Sequence, residues 1–305
     1  MKRMLTAVVA TAALLLSGCG SEEPPSAAPS SGSAAYPVTA GGVTLAQRPE
    51  RIVSLGPSAT EMLFAIGAGP QVVAVDDQST YPADAPKTDL SGFKPNAEAI
   101  AAKNPDLVVA TDDLNKIVDQ LGKLKIPVLL VPAAKVLDDT YREIDELGRL
   151  TGHQTEATAL TDRMRTQIDK IVKGVPARPS KLTYYYELDP ALYTATSKTF
   201  IGSVLGLFSL ENVADPSDAD GSKGGYPQLS PEALIKANPD LIFLADTKCC
   251  QQSPATVKAR KGWSAVTAVQ KDQIVSLDDD IASRWGPRVV DLVQSVADAV
   301  SKVPA

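Results

Sequence analysis

Apolar side chains recur at intervals of three and four residues along the middle of the chain. The apolar positions are Leu137, Tyr141, Ile144, Leu147, Leu150, Ala157, Leu160, Met164, Ile168 and Ile171. This spacing places one apolar stripe along a helix. Thr151-Gly152 interrupts the period, so the pattern predicts one helix ending near residue 150 and a second over residues 154–173. The second helix would be about 30 Å long, close to the width of a small domain.

Short apolar runs alternate with helical patterns on both sides of this central segment. The predicted strands are residues 51–55, 71–75, 107–110 and 126–131 before it, and 181–187, 241–245 and 273–277 after it. Strands that are apolar throughout and separated by helices are typical of parallel sheets covered on both faces. Among the connections, residues 76–94 are predicted to form a polar loop, 255–269 to be largely helical and 284–301 to form a terminal helix.

One sequence motif occurs once on each side of the central segment. It reads Asn-Ala-Glu … Asn-Pro-Asp over residues 96–106 and Ser-Pro-Glu … Asn-Pro-Asp over residues 230–240, and the copies align without a gap. Asn96 and Ser230 are predicted helix caps, which places Glu98 and Glu232 in equivalent first turns. A favourable interaction with the helix dipole explains one carboxylate in each turn, but not its matching position in both copies.

This repeat predicts the fold class: an α/β protein with two small parallel-sheet lobes joined by a single long helix. The predicted divisions are an N-terminal lobe over residues 43–136, a linking helical segment over 137–174 and a C-terminal lobe over 175–305. Small-molecule sites favour domain interfaces and the carboxyl ends of parallel strands, so a ligand cleft is expected between the lobes. Within the first lobe, Ser58 and Glu61 have the spacing of a capping box.

The first residues have the pattern of a secretory signal. Lys2 and Arg3 precede an apolar run over residues 4–16, which is too short to span a bilayer as a mature helix. The run ends in Leu-Ser-Gly-Cys, which resembles a bacterial lipobox and implies cleavage after residue 18 and lipid attachment to Cys19. Residues 19–42, rich in Ser, Ala, Pro and Gly, are expected to form a flexible tether. A lipid anchor would then be the only contact with the membrane.

Charge and cysteine content exclude some classes of function. The formal net charge of −6 disfavours nucleic-acid binding, which needs a basic face. With Cys19 assigned to lipid, the remaining cysteines are the neighbours Cys249 and Cys250. They form either a vicinal disulfide or two free thiols in a loop. A metal site there is not expected, because no histidine or further cysteine lies nearby in the sequence.

The sequence carries no catalytic signature, so we predict that the protein is not an enzyme. Gly56-Pro-Ser-Ala-Thr60 lacks the second glycine of a nucleophile elbow, and there is no phosphate-binding loop or His-Glu-x-x-His motif. The only histidine, His153, lies at the junction of the central helices, where a capping or solvated role is expected. A metal chelatase on a two-lobe scaffold is the enzyme alternative, and the lack of a His/carboxylate cluster argues against it.

Three motifs carry a family resemblance: residues 51–61, the two Glu-to-Asn-Pro-Asp repeats and Gly-His-Gln-Thr-Glu-Ala over residues 152–157. With them, the chain resembles the helix-linked (class III) substrate-binding lipoproteins of ABC importers, which serve cobalamin, ferric siderophores and haem. The resemblance implies a monomer at the extracytoplasmic face of the cell membrane that works with an ABC permease and its ATPase. One glutamate at each lobe tip docks onto permease arginines in that family, and Glu98 and Glu232 match those positions.

The cobalamin-binding members are the most similar in pattern. Their Tyr-Pro loop, pocket tryptophans and polar corrin contacts suggest ligand-binding roles for Tyr81, Phe93, Tyr226, Asp280 and Arg284 here, and Trp285 lies beside them. The implied ligand is cobalamin or another metal-bearing macrocycle or chelate, and no resident cofactor is expected. A ferric siderophore would use a similar bowl of arginine and aromatic side chains. Haem would need an axial ligand from Tyr81, Tyr193 or Tyr226. A ligand sensor without a transport role is the remaining alternative.

Overall fold

A computed structural model describes residues 35–304 of the chain. The signal segment, the lipobox and Cys19 lie outside these residues. The N-terminal lobe begins with a hairpin of β1 (Val38–Ala40) and β2 (Val43–Leu45). Its sheet contains β3 (Ile52–Leu55), β4 (Val72–Asp76), β5 (Lys87–Leu90), β6 (Leu107–Ala110) and β7 (Val128–Leu130). These strands are all parallel, in the order β5-β4-β3-β6-β7. The apolar runs predict the parallel arrangement and every strand of this sheet except β5.

Successive residues of the central strands pack on opposite faces of this sheet. The helices of the lobe are α1 (Pro57–Ala65), α2 (Ala97–Ala101) and α3 (Ile117–Lys123). On β6, Leu107 and Val109 belong to the same core cluster as the apolar residues of α1, whereas Val108 and Ala110 belong to the cluster that includes α3. Every residue of β6 is buried, which is why its sequence is apolar without alternation.

The C-terminal lobe repeats the arrangement with four parallel strands. They are β8 (Thr183–Glu187), β9 (Glu211–Asn212), β10 (Leu241–Leu244) and β11 (Ile274–Ser276), in the order β11-β10-β8-β9. The helices are α6 (Phe200–Gly206), α7 (Pro231–Ala237), α8 (Pro254–Lys258), α9 (Thr267–Gln270), α10 (Asp279–Ser283) and α11 (Val289–Lys302). Tyr184 and Tyr186 pack on one face of the sheet and Tyr185 on the other.

Two helices link the lobes: α4 (Leu137–Thr151) and α5 (Gln154–Gly174). Gly152 ends α4 with a φ of +77°, a conformation that glycine adopts without strain. At 21 residues, α5 is about 32 Å long. The core cluster that includes Ile52 of the first sheet also includes Ile168 of α5 and Phe243 of the second sheet. The lobes therefore share one continuous apolar core through the linking helices, and none of the described helices is long and apolar enough to cross a membrane.

Gly148 is expected to control the contact between α4 and α5. A Cβ at this position would overlap the Cβ of Ala157 and lie 3.1 Å from the carbonyl oxygen of His153. Alanine favours a helix over glycine by about 1 kcal/mol, but overpacking costs about 1–3 kcal/mol. The overlap is with a Cβ atom that no side-chain rotation can move, so we expect the upper end of the overpacking cost. After the helix gain is subtracted, Gly148→Ala should lower the free energy of unfolding by about 2 kcal/mol in urea denaturation. Gly122→Ala in α3, where nothing lies within 4 Å of the added Cβ, is the control and should not destabilise. Unchanged stability of Gly148→Ala would contradict this tight contact.

Three local predictions were wrong. Ser58 and Glu61 do not form a capping box, because α1 begins at Pro57 with Gly56 as its N-cap, and proline is well suited to a first helical turn. The loop predicted over residues 76–94 contains β5, whose sequence Lys-Thr-Asp-Leu lacks an apolar run because it is an edge strand. The terminal helix begins at Val289 rather than at residue 284, since Gly286-Pro287 separates α10 from α11.

Two predicted boundaries also differ from the structure. The predicted tether extends to residue 42, but β1 pairs with β2, the hydroxyl of Tyr36 donates to the carbonyl of Leu150 at 2.8 Å, and Arg149 donates to Thr39. The ordered fold therefore begins near Tyr36, earlier than the predicted lobe boundary at residue 43. The helix predicted over residues 255–269 is divided into α8, a short 3-10 turn and α9, with Gly262 in the left-handed region between them.

Candidate functional site

A cavity of about 480 Å³ lies at the carboxyl ends of the strands of the N-terminal sheet. Its first wall comes from residues at or just after the ends of β3, β4, β6 and β7: Leu55, Asp76, Thr111 and Val131. Its second wall comes from α10 and the residues after it: Asp280, Ser283, Arg284 and Trp285. The cavity therefore lies between the N-terminal sheet and the C-terminal lobe, where the predicted topology places a ligand cleft.

Two aromatic side chains line this cleft. Phe93 lies in the turn after β5 and is 74% exposed, so its ring is available to cover an apolar ligand. Trp285 stacks on Phe200 of α6, with ring centroids 4.7 Å apart and an angle of 16° between the planes. Its backbone carbonyl accepts a hydrogen bond from the hydroxyl of Thr140 on α4 at 3.0 Å. Trp285 is thus held in place by the Phe200 ring and by α4, whereas most of the Phe93 ring is exposed.

Arg284 connects the two walls of the cleft. Its guanidinium pairs with Asp280 at 2.8 Å and lies 3.8 Å from Glu61 on α1. It also donates to the hydroxyl of Thr80 at 3.0 Å and to the carbonyl of Gln78 at 3.1 Å, both in the loop after β4. The predicted ligand contact therefore also bridges the lobes, and a bound ligand would compete with these hydrogen bonds.

Arg288 and Glu61 form a second bridge, which sequence reasoning missed. The Glu61 side chain is 1% exposed and accepts from Arg288 at 2.8 Å and 2.5 Å through its two carboxylate oxygens. The Arg288 guanidinium also lies 4.3 Å from the centre of the Tyr81 ring, a cation–π geometry. No local sequence signal pairs residues so far apart in the chain. The only local signal was the carboxylate of Glu61 near the start of α1, and the sequence pattern assigned that residue to a capping box.

The structure brings together four of the six predicted ligand-binding residues. Phe93, Asp280, Arg284 and Trp285 line the cleft. Tyr81 is 47% exposed, is not among the residues that line the cavity, and packs its ring against the Arg288 guanidinium. Tyr226 is 39% exposed and is not among the residues that line the cavity, and its partial burial raises the pKa of its hydroxyl.

The charge of the cleft is predominantly negative. Carboxylates from four separate parts of the chain line it, namely Asp76, Asp112, Glu143 and Asp280. Asp76 is buried and accepts a hydrogen bond from Ser79, and burial raises its pKa. Burial also raises the pKa of Glu143, to about 7. Arg284 is the one basic residue in the described lining, and it already pairs with Asp280. The described lining contains no histidine, tyrosine, cysteine or methionine.

Glu98 and Glu232 occupy equivalent places on the surface, as the repeat predicts. Asn96 caps α2 by accepting from the amide of Ala99 at 3.0 Å, and Ser230 caps α7 by accepting from the amide of Ala233 at 3.1 Å. Both glutamates are exposed in the first turns of these helices. Within residues 35–304, no hydrogen bond or salt bridge involves either carboxylate, so both are free to contact another molecule.

Cys249 and Cys250 are joined by a disulfide, in agreement with the first of the two sequence interpretations. The backbone amides of Lys248 and Cys249 each donate to the Asp279 carboxylate at 2.9 Å. The Lys248 ammonium group also pairs with Asp280 at 2.9 Å. The disulfide-containing loop is therefore attached to the start of α10, which carries one wall of the cleft.

These two parallel-sheet lobes, joined through helices around a cleft, define the helix-linked class of substrate-binding proteins. The chain belongs to the periplasmic binding protein family, whose sequence profile matches residues 52–281. The family consists of solute-binding proteins rather than enzymes. Those that serve ABC transporters bind small ligands and work with a permease and an ATPase.

Known relatives cover most of the chain. An uncharacterised ABC transporter substrate-binding lipoprotein of Bacillus subtilis, YvrC, is 30% identical over 96% of this chain and 95% of its own length. A cobalamin-binding protein of Halobacterium salinarum is 32% identical over 84% of this chain and 71% of its own length. Among solved structures, a possible iron-binding periplasmic solute-binding protein of Staphylococcus epidermidis has a TM-score of 0.73 at 29% identity, over 84% of this chain and 100% of its own.

Proposed function

We propose that this protein captures cobalamin or a related corrinoid in the cleft between its lobes and delivers it to an ABC permease and its ATPase. The observation that carries the proposal is the composition of the cleft, which combines aromatic rings with buried carboxylates and a paired arginine. Aromatic faces suit a flat macrocycle, and carboxylates accept hydrogen bonds from the carboxamide groups around a corrin. Similarity to the cobalamin-binding protein of Halobacterium salinarum supports the same ligand class.

The cleft is less suited to haem. Haem carries two carboxylates of its own, which the acidic lining would repel. An axial ligand would also be needed, and since the described lining offers no histidine or tyrosine, it would have to come from a tyrosine outside the lining. A ferric hydroxamate is the stronger second candidate, because such a complex need not be anionic and the similar Staphylococcus epidermidis structure is of a possible iron-binding protein.

Calorimetric titration of the chain from Ser21 onward, with cyanocobalamin, cobinamide, haemin and a ferric hydroxamate in turn, tests the ligand. We expect submicromolar binding of the two corrinoids and no binding of haemin. Tight binding of the ferric hydroxamate alone would keep the transport role and overturn the corrinoid proposal. If none of the four bound, a sensor role or a different ligand would take precedence.

The same titration with Phe93→Ala locates the site. Removing the exposed ring should weaken corrinoid binding by about 10-fold, since an aromatic contact contributes about 0.5–1.5 kcal/mol beyond the area it buries. Tyr193→Ala is the control, because Tyr193 is similarly exposed at 43% but does not line the cleft. Equal effects of the two substitutions would show that the ligand binds elsewhere.

The remaining parts of the proposal concern location and organisation. Residues 1–18 act as a signal peptide, and Cys19 carries lipid that holds the protein at the extracytoplasmic face of the membrane. The lipobox supports this anchoring, as does the description of the Bacillus subtilis relative as a lipoprotein. The protein acts as a monomer of two lobes, residues 36–136 and 175–305, joined through residues 137–174. Glu98 and Glu232 dock onto the permease, and Tyr81 and Tyr226 contribute at the rim of the ligand site.

A further inference from the structure

Glu143 on α4 is a buried carboxylate that lines the ligand cleft. Its residue is 3% exposed, and its Oε1 atom has no hydrogen-bond partner among the residues that the structure describes. Thr140, one turn earlier on α4, donates its hydroxyl to the carbonyl of Trp285, so this part of the helix packs against the cleft wall. Glu143 therefore contributes to the floor of the cavity from the linking helix rather than from either sheet.

The surrounding charges do not neutralise this carboxylate. On α4 itself, the neighbouring Arg142 is directed to Asp139, which it contacts at 2.7 Å, and its side chain is 55% exposed. Across the cavity, Arg284 is paired with Asp280. Burying a carboxyl group without a hydrogen-bond partner is costly, and among the unpartnered carboxylates of the described residues Glu143 is the one that lines the cleft. Burial accordingly raises the pKa of Glu143 to about 7, so near neutral pH its carboxyl group can either donate or accept a hydrogen bond.

We propose that Glu143 is a ligand-contact residue whose carboxyl group pairs with a primary carboxamide of the ligand. This inference rests on the proposed function, because a corrinoid is the ligand that presents such carboxamides. A carboxamide has both an N–H donor and a C=O acceptor, so it can satisfy the carboxyl group in its protonated or its ionised form. A ligand carboxylate lacks the donor and would be repelled by ionised Glu143. The residue therefore favours amidated corrinoids over their acid forms when its carboxyl group is ionised.

The test compares Glu143→Leu and Glu143→Gln in calorimetric titrations with cyanocobalamin. Leucine has no hydrogen-bonding group, so we expect affinity to fall about 10- to 100-fold as a ligand carboxamide loses its partner. Glutamine keeps one donor and one acceptor, so affinity should stay within about threefold of the unmodified protein. Asp145→Asn is the matched control, because Asp145 lies on the same helix with an unpartnered Oδ1 but does not line the cleft.

The outcomes separate this inference from the proposed function. Loss of affinity in Glu143→Leu alone, with thermal unfolding showing that all three variants are folded, would support both. If the unmodified protein bound cyanocobalamin and Glu143→Leu bound it equally well, the role of Glu143 would be overturned while the proposed function stood. A failure of Glu143→Leu to fold would leave the glutamine variant to decide, since a loss of more than 10-fold there contradicts carboxamide pairing. No binding of either cyanocobalamin or cobinamide by the unmodified protein would overturn both.

Discussion

Replacing Arg288 with alanine is expected to lower the free energy of unfolding by about 3–5 kcal/mol. The reason is the environment of Glu61, whose side chain is 1% exposed and receives two hydrogen bonds from Arg288. Without Arg288, the carboxylate would remain buried with only Arg284, at 3.8 Å, to compensate its charge. A loss of this size is a large fraction of the stability of a typical protein. Urea denaturation followed by circular dichroism measures it directly.

Two controls separate the buried pair from an ordinary surface pair. Arg142→Ala removes an ion pair of similar length, 2.7 Å, but both side chains there are more exposed, at 55% and 22%, so we expect a loss below about 1 kcal/mol. The double replacement Glu61→Met with Arg288→Met removes both charges together and should cost less than Arg288→Ala alone, because no charge is left buried and unpaired. If Arg288→Ala and Arg142→Ala were equally mild, the Glu61–Arg288 pair would have no special role in joining the lobes.

The parts of this fold that could be predicted are those with a local periodic signal. The three- and four-residue spacing over α4 and α5 matches their observed burial, and the apolar runs of β6 and β10 mark strands buried on both faces. The capping roles of Asn96 and Ser230 follow from the same kind of local chemistry. The edge strand β5 gives no such signal, since one side of it needs no partner and its residues are mostly polar.

The cleft was less predictable because its chemistry depends on contacts between distant residues. Glu61 reads locally as part of a helix start, yet its partner Arg288 lies more than two hundred residues away. Glu143 falls among the polar positions of α4, and only the packed structure shows that it lines a cavity. Family resemblance suggested a ligand-binding role for Arg284, which lines the cleft, but could not show that its side chain already bridges to Thr80.

Reversing the charge of both Glu98 and Glu232, each to arginine, is expected to abolish ligand uptake by the assembled importer while leaving ligand binding within about twofold. Both side chains are exposed and make no hydrogen bond or salt bridge in the described part of the chain. Each contributes at most about 0.3–1 kcal/mol to the fold through its helix dipole, so the variant should remain folded. A rim charge that meets arginines of a partner, by contrast, becomes strongly repulsive when reversed.

Uptake of radiolabelled ligand by cells or proteoliposomes that contain the permease and ATPase measures this effect, alongside titration of the isolated protein. The matched control reverses Asp119 and Asp291, which are also exposed acids in the first turns of their helices, α3 and α11, but are not equivalent in the repeat. Because both pairs change net charge equally, a defect confined to the Glu98/Glu232 variant would identify specific docking. Normal uptake by that variant, or an equal defect in the control, would contradict the docking role. The two glutamates would then contribute only through the dipoles of their own helices.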